Sequence, residues 1–336
     1  DDAYLIDHMK LSKRLDENQY QKLLAEANEI NINYEKSKST NTAAKRAGPD
    51  IVAQLETGGL GFFSQLGVAR RPDLTQYFID GFIKNRDSIA FSEENQSLFA
   101  EIIPYISKYI KEQFKNKSEI IQVDRQIGDL DDQSFHARML LCGTDYAGLP
   151  YMWKQLTFPI SKTKKISNPN IVELSIPKWL ECIKLPPELK KRINQANLNQ
   201  LILKAPTKGL SLHLGFDYMG EHKMGPLSIA MFLVKQQSGL AIQAALSMTR
   251  MKTLQGEIKN SALITVGPSL HGKSTLTIMI ELKDSELSNL LNLPSDLNEG
   301  TYPMNDDIVL IQKLATPVYQ HDKNISINYG INGTEN

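Results

Sequence analysis

The nine residues Gly267-Pro268-Ser269-Leu270-His271-Gly272-Lys273-Ser274-Thr275 constrain this chain more than any other stretch, because they satisfy G-x-x-x-x-G-K-[ST] at every fixed position. A loop of this kind needs a strand before it and a helix after it. Its glycines let the backbone close around a phosphate, the N–H groups at the helix start supply partial positive charge, and the lysine adds a full one. The flanks agree with that order. Ser261–Val266 (SALITV) reads as a buried-type strand, and Thr275–Ile280 (TLTIMI) can open a helix. The expectation is ATP held along Gly267–Thr275, with Lys273 facing its phosphates and the Ser274 hydroxyl completing the shell of a Mg²⁺ ion. The competing reading is a glycine turn that binds nothing.

A phosphate-bound metal also needs an acid at the end of a neighbouring strand. Asn305-Asp306-Asp307-Ile308-Val309-Leu310-Ile311 offers two adjacent carboxylates beside an apolar strand. Alone, an Asp-Asp pair is a solvated turn. Beside a complete phosphate loop, Asp307 becomes the expected Mg²⁺ ligand, and Asp306 its neighbour that orients a water or supports the ligand.

At 336 residues the chain has room for about two domains. The first 30 residues read as helix, with Leu5, Met9, Leu11, Leu15, Tyr20 and Leu23 at mixed three- and four-residue steps. Residues 35–50 are polar and end in Gly48-Pro49, a linker composition. A second helical region is expected over about 72–116, bent or interrupted at Pro104. Gly58–Phe63 lacks a lysine and a preceding strand, so it reads as a loop. From about 119 the pattern changes to short strand-like runs, Ile120–Val123 and Ala137–Cys142, the second followed by a helix through Tyr151–Trp153. Leu210–Leu214 alternates like a strand, and residues 226–235 are mostly apolar. The expected fold is mixed α/β (α+β): a helix-rich region over 1–118, a mixed region over 119–210, and a phosphate-loop nucleotide-binding domain over 211–336.

A third segment narrows the class. Tyr218-Met219-Gly220-Glu221-His222-Lys223-Met224-Gly225 resembles the Y-x-G-E-x-K-K-G segment of ATP-dependent phosphoenolpyruvate carboxykinases. In that family a G-I-x-x-x-H strand, the phosphate loop and a G-D-D motif follow in turn. Here Gly239-Leu240-Ala241, Gly267–Thr275 and Asp306-Asp307 keep that order. The run Arg138–Leu141 through Trp153 and Phe158-Pro159 is also similar to the family's upstream strand and helix. The resemblance spans about 120–336 and is sharpest over 215–312. It implies a carboxykinase-like nucleotide domain in which Lys223, matching the first lysine of the pair, contacts the γ-phosphate beside Lys273, Asp306 and Asp307.

The departures matter equally. The family holds its transition metal with the second lysine, the histidine and an aspartate. Met224 stands at that lysine, Ala244 falls about where the histidine belongs, and only Asp307 matches. A thioether and a methyl group cannot replace two nitrogen donors for such an ion, whereas Mg²⁺ travelling with ATP needs only Ser274, Asp307 and phosphate oxygens. Residues Glu281–Glu299 read as an inserted helix and loop. Asn328–Gly333 resembles a segment that lies mid-protein in the family, so the domain is expected to be incomplete at its C-terminus.

Two functional readings follow. One is an ATP-dependent phosphotransferase, a kinase acting on a small-molecule or protein acceptor other than oxaloacetate. The other is a nucleotide-binding pseudoenzyme or regulator. True carboxykinase activity ranks third. The 38 basic and 38 acidic side chains cancel, which argues against nucleic acid as a partner. No apolar run nears the roughly 20 residues that span a bilayer, and the chain does not open like a signal peptide, so a cytoplasmic protein without membrane contact is expected. Cys142 and Cys182 read as buried small hydrophobes. His222 reads as solvated or packed, with a catalytic role as its alternative, His271 as a tolerated variable position or a contact to phosphate or substrate, and Arg138 as either a salt-bridge partner or an anion contact.

Overall fold

The computed structural model describes residues 14–15, 51–55, 60–63, 74–79, 89–90, 93–116, 120–142, 146, 148–160, 168–267, 271–278, 286–290, 300–320 and 324–334. The chain divides into two units, the first taking Asp1–Asp124, Ala137–Gln155 and Asn168–Ile229, the second Arg125–His136, Leu156–Ser167 and Ala230–Asn336.

In the first unit, β1 (Arg14–Leu15), β2 (Ile51–Leu55) and β3 (Leu60–Phe63) make a small sheet, β1 parallel and β3 antiparallel to β2. Next come β4 (Thr75–Ile79), β5 (Ile89–Ala90), α1 (Glu93–Asn116), β6 (Ile120–Ile127), β7 (Phe135–Cys142) and α2 (Gly148–Leu156). They are followed by β8 (Ile171–Ile176), α3 (Trp179–Cys182), α4 (Pro187–Gln195), β9 (Gln200–Ala205), β10 (Leu210–Leu214) and α5 (Met219–Gln236). Seven strands form one mixed sheet in the order β5-β4-β9-β10-β8-β7-β6. β10 runs parallel to β8 and antiparallel to β9, with Ser211 opposite Glu173 and His213 opposite Ser175.

Because side chains alternate along a strand, this register sorts the sheet into two unlike faces. One face, with Phe78, Ile176, Leu201, Leu212 and Leu214, packs against Leu98, Phe99, Ile102 and Ile106 of α1. Phe78 meets Phe99 edge-on at 5.0 Å between ring centroids, and such a pair adds about 0.5–1.5 kcal/mol beyond area burial. The other face carries Tyr77, Ile202, Ser211, His213, Glu173 and Ser175, all buried. Helix α5 lies on that polar face at close range. A β-carbon at Gly225 would stand 2.5 Å from His213 Nε2 and 2.8 Å from Ser211 Oγ, so only glycine fits there without a shift.

Several expectations for the N-terminal part are corrected here. The helix over the first 30 residues lies outside the described residues except at Arg14–Leu15, which are strand; the polar segment 35–50 lies outside them altogether. The described residues of 1–118 comprise β1–β5 and one helix, not a helix-rich region. Thr75–Ile79 is a strand rather than helix. Tyr77 and Phe78 are adjacent and both buried, so the strand is covered on both faces and loses the alternation that marks a strand in sequence. Leu60–Phe63 is a strand, not a loop. Pro104 sits inside α1 without ending it. The carbonyl of Ala100, which loses its partner to the proline, is on an exposed residue where water can satisfy it.

The second unit contains β11 (Leu240–Lys252), β12 (Ile258–Val266), α6 (Lys273–Ile278), α7 (Glu286–Leu290), β13 (Gly300–Asn305), β14 (Ile308–Gln320) and β15 (Ile325–Gly333). Its sheet is antiparallel, in the order β12-β11-β14-β15, with β13 also paired to β11. β12 is therefore an edge strand, and it is largely exposed rather than buried: Leu263 is 47% and Val266 64% accessible. The expected neighbourhood of Ile308–Ile311 and Ser261–Val266 is corrected as well, since β11 runs between them. A buried amide network holds the turn before β7 to this sheet: Gln312 Nε2 donates to the Gln133 carbonyl at 2.9 Å, Gln133 Nε2 to the Lys313 carbonyl at 3.1 Å, and Asn332 Nδ2 to Gln312 Oε1 at 3.1 Å.

Candidate nucleotide site

Strand β12 ends at Val266 and delivers the chain to Gly267; Pro268, Ser269 and Leu270 lie outside the described residues. His271 is exposed. Gly272 has φ +80°, a left-handed conformation, and beyond its chain neighbours no atom of the described residues lies within 4 Å of where a β-carbon would stand, so backbone conformation calls for glycine. Helix α6 starts at Lys273, which is only 8% accessible, while Ser274 and Thr275 are exposed. The first turn closes through Leu276 N–H to the Gly272 carbonyl at 2.8 Å and Thr277 Oγ1 to the Lys273 carbonyl at 2.9 Å. A strand thus precedes the loop and a helix follows it.

The acidic pair is the bend between β13 and β14. Asp307 N–H donates to Asn305 Oδ1 at 3.3 Å, and the Asp307 carbonyl accepts from Ala244 N–H at 2.8 Å. Ala244 is also the register partner of Val266. One residue of β11 therefore ties the strand that feeds the loop to the turn that carries the acids. Ser274 Oγ lies 3.5 Å from the Asp306 carbonyl, so hydroxyl and acid turn are neighbours although β12 and β14 are not. The donor types fit a hard divalent ion: an exposed serine hydroxyl beside the backbone of a turn whose two residues carry half-exposed carboxylates. The family's transition metal does not fit. Ala244 is fully buried and packs with Leu246 and Val309, so its position offers a methyl group inside an apolar cluster and no donor.

Lys223 and Met224 belong to the first unit, on α5, and both are half-buried. Beside them Glu221 accepts a hydrogen bond from Tyr77 Oη at 2.8 Å, and His222 is fully buried, the packed one of its readings rather than the solvated one. Arg138 pairs with Asp124, Nε to Oδ1 at 2.7 Å, the structural one of its two readings. Cys142 is buried, and burial, aided by nearby Cys182, pushes its thiol up to about 12. Cys182, expected to be buried, is exposed because it ends α3.

The sequence reading missed one constellation in the first unit. Glu173, His213 and His222 are all buried, and one donor atom of each lies within 4.8 Å of the others. Burial pushes the Glu173 carboxyl well above the usual carboxylate range and the His213 imidazole well below its own. A glutamate inside the apolar run Ile171–Ile176 and a histidine inside Leu210–Leu214 were the available signals.

No helix among the described residues is long and apolar enough to cross a membrane. No curated protein matches the chain significantly. A family model, phosphoenolpyruvate carboxykinase, matches residues 31–286, about three quarters of the chain. That match begins well before the stretch where the resemblance is legible by eye, and it ends before Asp306-Asp307. With the phosphate loop, the Glu221–Gly225 segment and their order inside or beside that span, the chain belongs to the ATP-dependent phosphoenolpyruvate carboxykinase family.

Proposed function

We propose that the chain binds ATP with Mg²⁺ at Gly267–Thr275 and transfers its terminal phosphoryl group to an acceptor other than oxaloacetate. The observation that supports the nucleotide half is the meeting of Ser274 with the Asp306-Asp307 turn, one residue beyond a lysine that opens α6. Lys273 supplies the loop's full positive charge to the phosphates, Gly272 gives the backbone its tight left-handed turn, and Ser274 and Asp307 hold the metal. Bound Mg²⁺ would offset the negative charge of the phosphate oxygens. Asp306, whose carbonyl faces Ser274, keeps the hydroxyl and the acid turn together. The role of Lys223 at the terminal phosphate rests on its motif position alone. Phosphoryl transfer requires mainly positioning and charge stabilisation, which these residues suit.

The acceptor half is supported by what stands at Ala244 and Met224. Neither side chain offers a nitrogen, and the Ala244 methyl is part of the core. The same two residues favour a second reading, a protein that binds nucleotide without transferring from it. Purified protein is incubated with γ-labelled ATP and Mg²⁺, with and without small hydroxyl or carboxylate compounds and protein extract. Labelled acceptor is expected under the first reading. Bound ATP with neither transfer nor hydrolysis identifies the second. Robust phosphoenolpyruvate formation from oxaloacetate, ATP and Mn²⁺ would sink both.

A further inference from the structure

A buried glutamate with nothing to bond is the least comfortable feature of the first unit. Glu173 has no solvent exposure, and neither of its carboxylate oxygens has a hydrogen-bond partner among the described residues. His213, also fully buried, has no hydrogen-bond partner for Nδ1 among the described residues. Buried polar atoms are bonded in the large majority of cases, and an isolated buried carboxylate costs several kcal/mol. Two such lapses in one place, beside a second buried imidazole, His222, call for a missing component.

We infer that Glu173, His213 and His222 form a buried structural site for Zn²⁺. One carboxylate and two imidazoles are a donor set that zinc accepts, and the three donors already lie within 4.8 Å of one another. Around a four-coordinate ion they would close to about 3.3 Å, given ligand distances of about 2.0–2.1 Å. The imidazoles are oriented from behind as metal-bound histidines are. His222 Nδ1 donates to the Tyr218 carbonyl at 2.8 Å, which leaves Nε2, now 2.8 Å from Ser175 Oγ, with its lone pair. His213 Nε2 is held by Ser211 Oγ at 2.6 Å. The two rings stand 4.8 Å apart between centroids.

The fold builds this site from three elements. Register places Glu173 of β8 beside Ser211 of β10, with His213 one step on along the same face, and α5 brings His222 down on them. Gly225, one turn further along α5, admits the helix to contact distance with His213. The three side chains are buried, so the fourth position would fall to the Ser175 hydroxyl beside His222 Nε2 or to one enclosed water, and the ion would stabilise the unit rather than meet a substrate. Its charge would compensate the carboxylate, and binding would couple to folding. The site is independent of the phosphate loop, and its failure would leave the nucleotide proposal untouched.

Tag-free full-length protein, stripped with chelator and re-equilibrated with excess Zn²⁺, is desalted and its zinc measured by elemental analysis. About one equivalent per chain is expected, with a melting temperature that falls on stripping and recovers on adding Zn²⁺ alone. Glu173→Gln and His213→Gln should each weaken zinc binding at least tenfold. Wild-type protein that retains no zinc and whose melting temperature ignores both chelator and Zn²⁺ overturns the proposal. So does a Glu173→Gln variant with unaltered zinc affinity. Should the variants fail to fold, Co²⁺ loaded into wild-type protein decides: visible bands of a four-coordinate site are expected, and a spectrum of hexaaqua Co²⁺ overturns the site.

Discussion

Replacing Gly225 by alanine tests the close packing of α5 on the polar face of the sheet. The new methyl would meet His213 Nε2 at 2.5 Å, Ser211 Oγ at 2.8 Å and His213 Cε1 at 2.9 Å, all nearer than a real β-carbon contact. Those atoms cannot simply step aside, because His213 and Ser211 are buried and bonded to each other at 2.6 Å. Overpacking of this kind costs about 1–3 kcal/mol, and disturbing the buried hydrogen bond costs about 1–3 kcal/mol more. Alanine regains only about 1 kcal/mol over glycine inside a helix. The balance is a destabilisation of about 1–5 kcal/mol, and its midpoint of about 3 kcal/mol corresponds to about 6–12 °C in melting temperature for a unit of this size. Thermal melts followed by circular dichroism measure it. In a Ser211→Gly background the obstructing hydroxyl is gone, so the penalty should shrink, and a double-mutant cycle should return a coupling of about 1 kcal/mol. An alanine variant that melts at or above the wild type, as an uncrowded helix glycine would, refutes the close-packing argument.

Further outcomes follow from the same geometry. Thiol titration of the folded protein should modify exposed Cys182 and spare Cys142 until denaturant is added, since burial holds the Cys142 thiol protonated; equal rates for both would contradict its placement. Asp307→Asn should lower Mg²⁺-dependent ATP affinity about tenfold, because it removes the charge opposite the cation. Asp306→Asn should cost less, because Asp306 meets Ser274 through a backbone carbonyl that asparagine retains. Mg²⁺ titrations with unshifted midpoints in both variants would reduce the pair to a solvated turn. Gln133→Ala should lower the melting temperature by several degrees, since it takes an acceptor from the buried Asn332 amide and the donor from the Lys313 carbonyl; an unchanged melt would remove that network from the account.

The elements around the phosphate loop were legible because local chemistry dictates them. A β-branched run, a glycine turn and a Lys-Ser-Thr helix start need no distant partner to be read, and Leu210–Leu214 and Ala137–Cys142 show their strand character in the same way. Thr75–Ile79 was misread because burial on both faces erases alternation. The exposed state of β12 was misread because an edge position is a property of the sheet, not of SALITV. Pro104 passes through α1 because the orphaned carbonyl of Ala100 can reach water, a tertiary fact. The Glu173–His213–His222 cluster depends on the register of β8 against β10 and on the docking of α5, and its members are far apart in the chain. Only His222 stands out in sequence, and there as a solvated or packed residue with a catalytic alternative, not as a metal ligand. Asp306-Asp307 was found as a motif, yet its closeness to Ser274 comes through Ala244 of β11, a position that in sequence marked only a lost metal ligand.

The account turns on nucleotide binding at the phosphate loop, and calorimetry of the full chain with ATP and Mg²⁺ tests it most directly. Wild-type protein should bind one ATP per chain, and Lys273→Ala should bind at least tenfold more weakly, about 1.4 kcal/mol or more, while melting at a similar temperature. ATP affinity that is the same in Lys273→Ala as in the wild type, or no ATP binding by a folded wild-type chain, would contradict the assignment of Gly267–Thr275 as the nucleotide site.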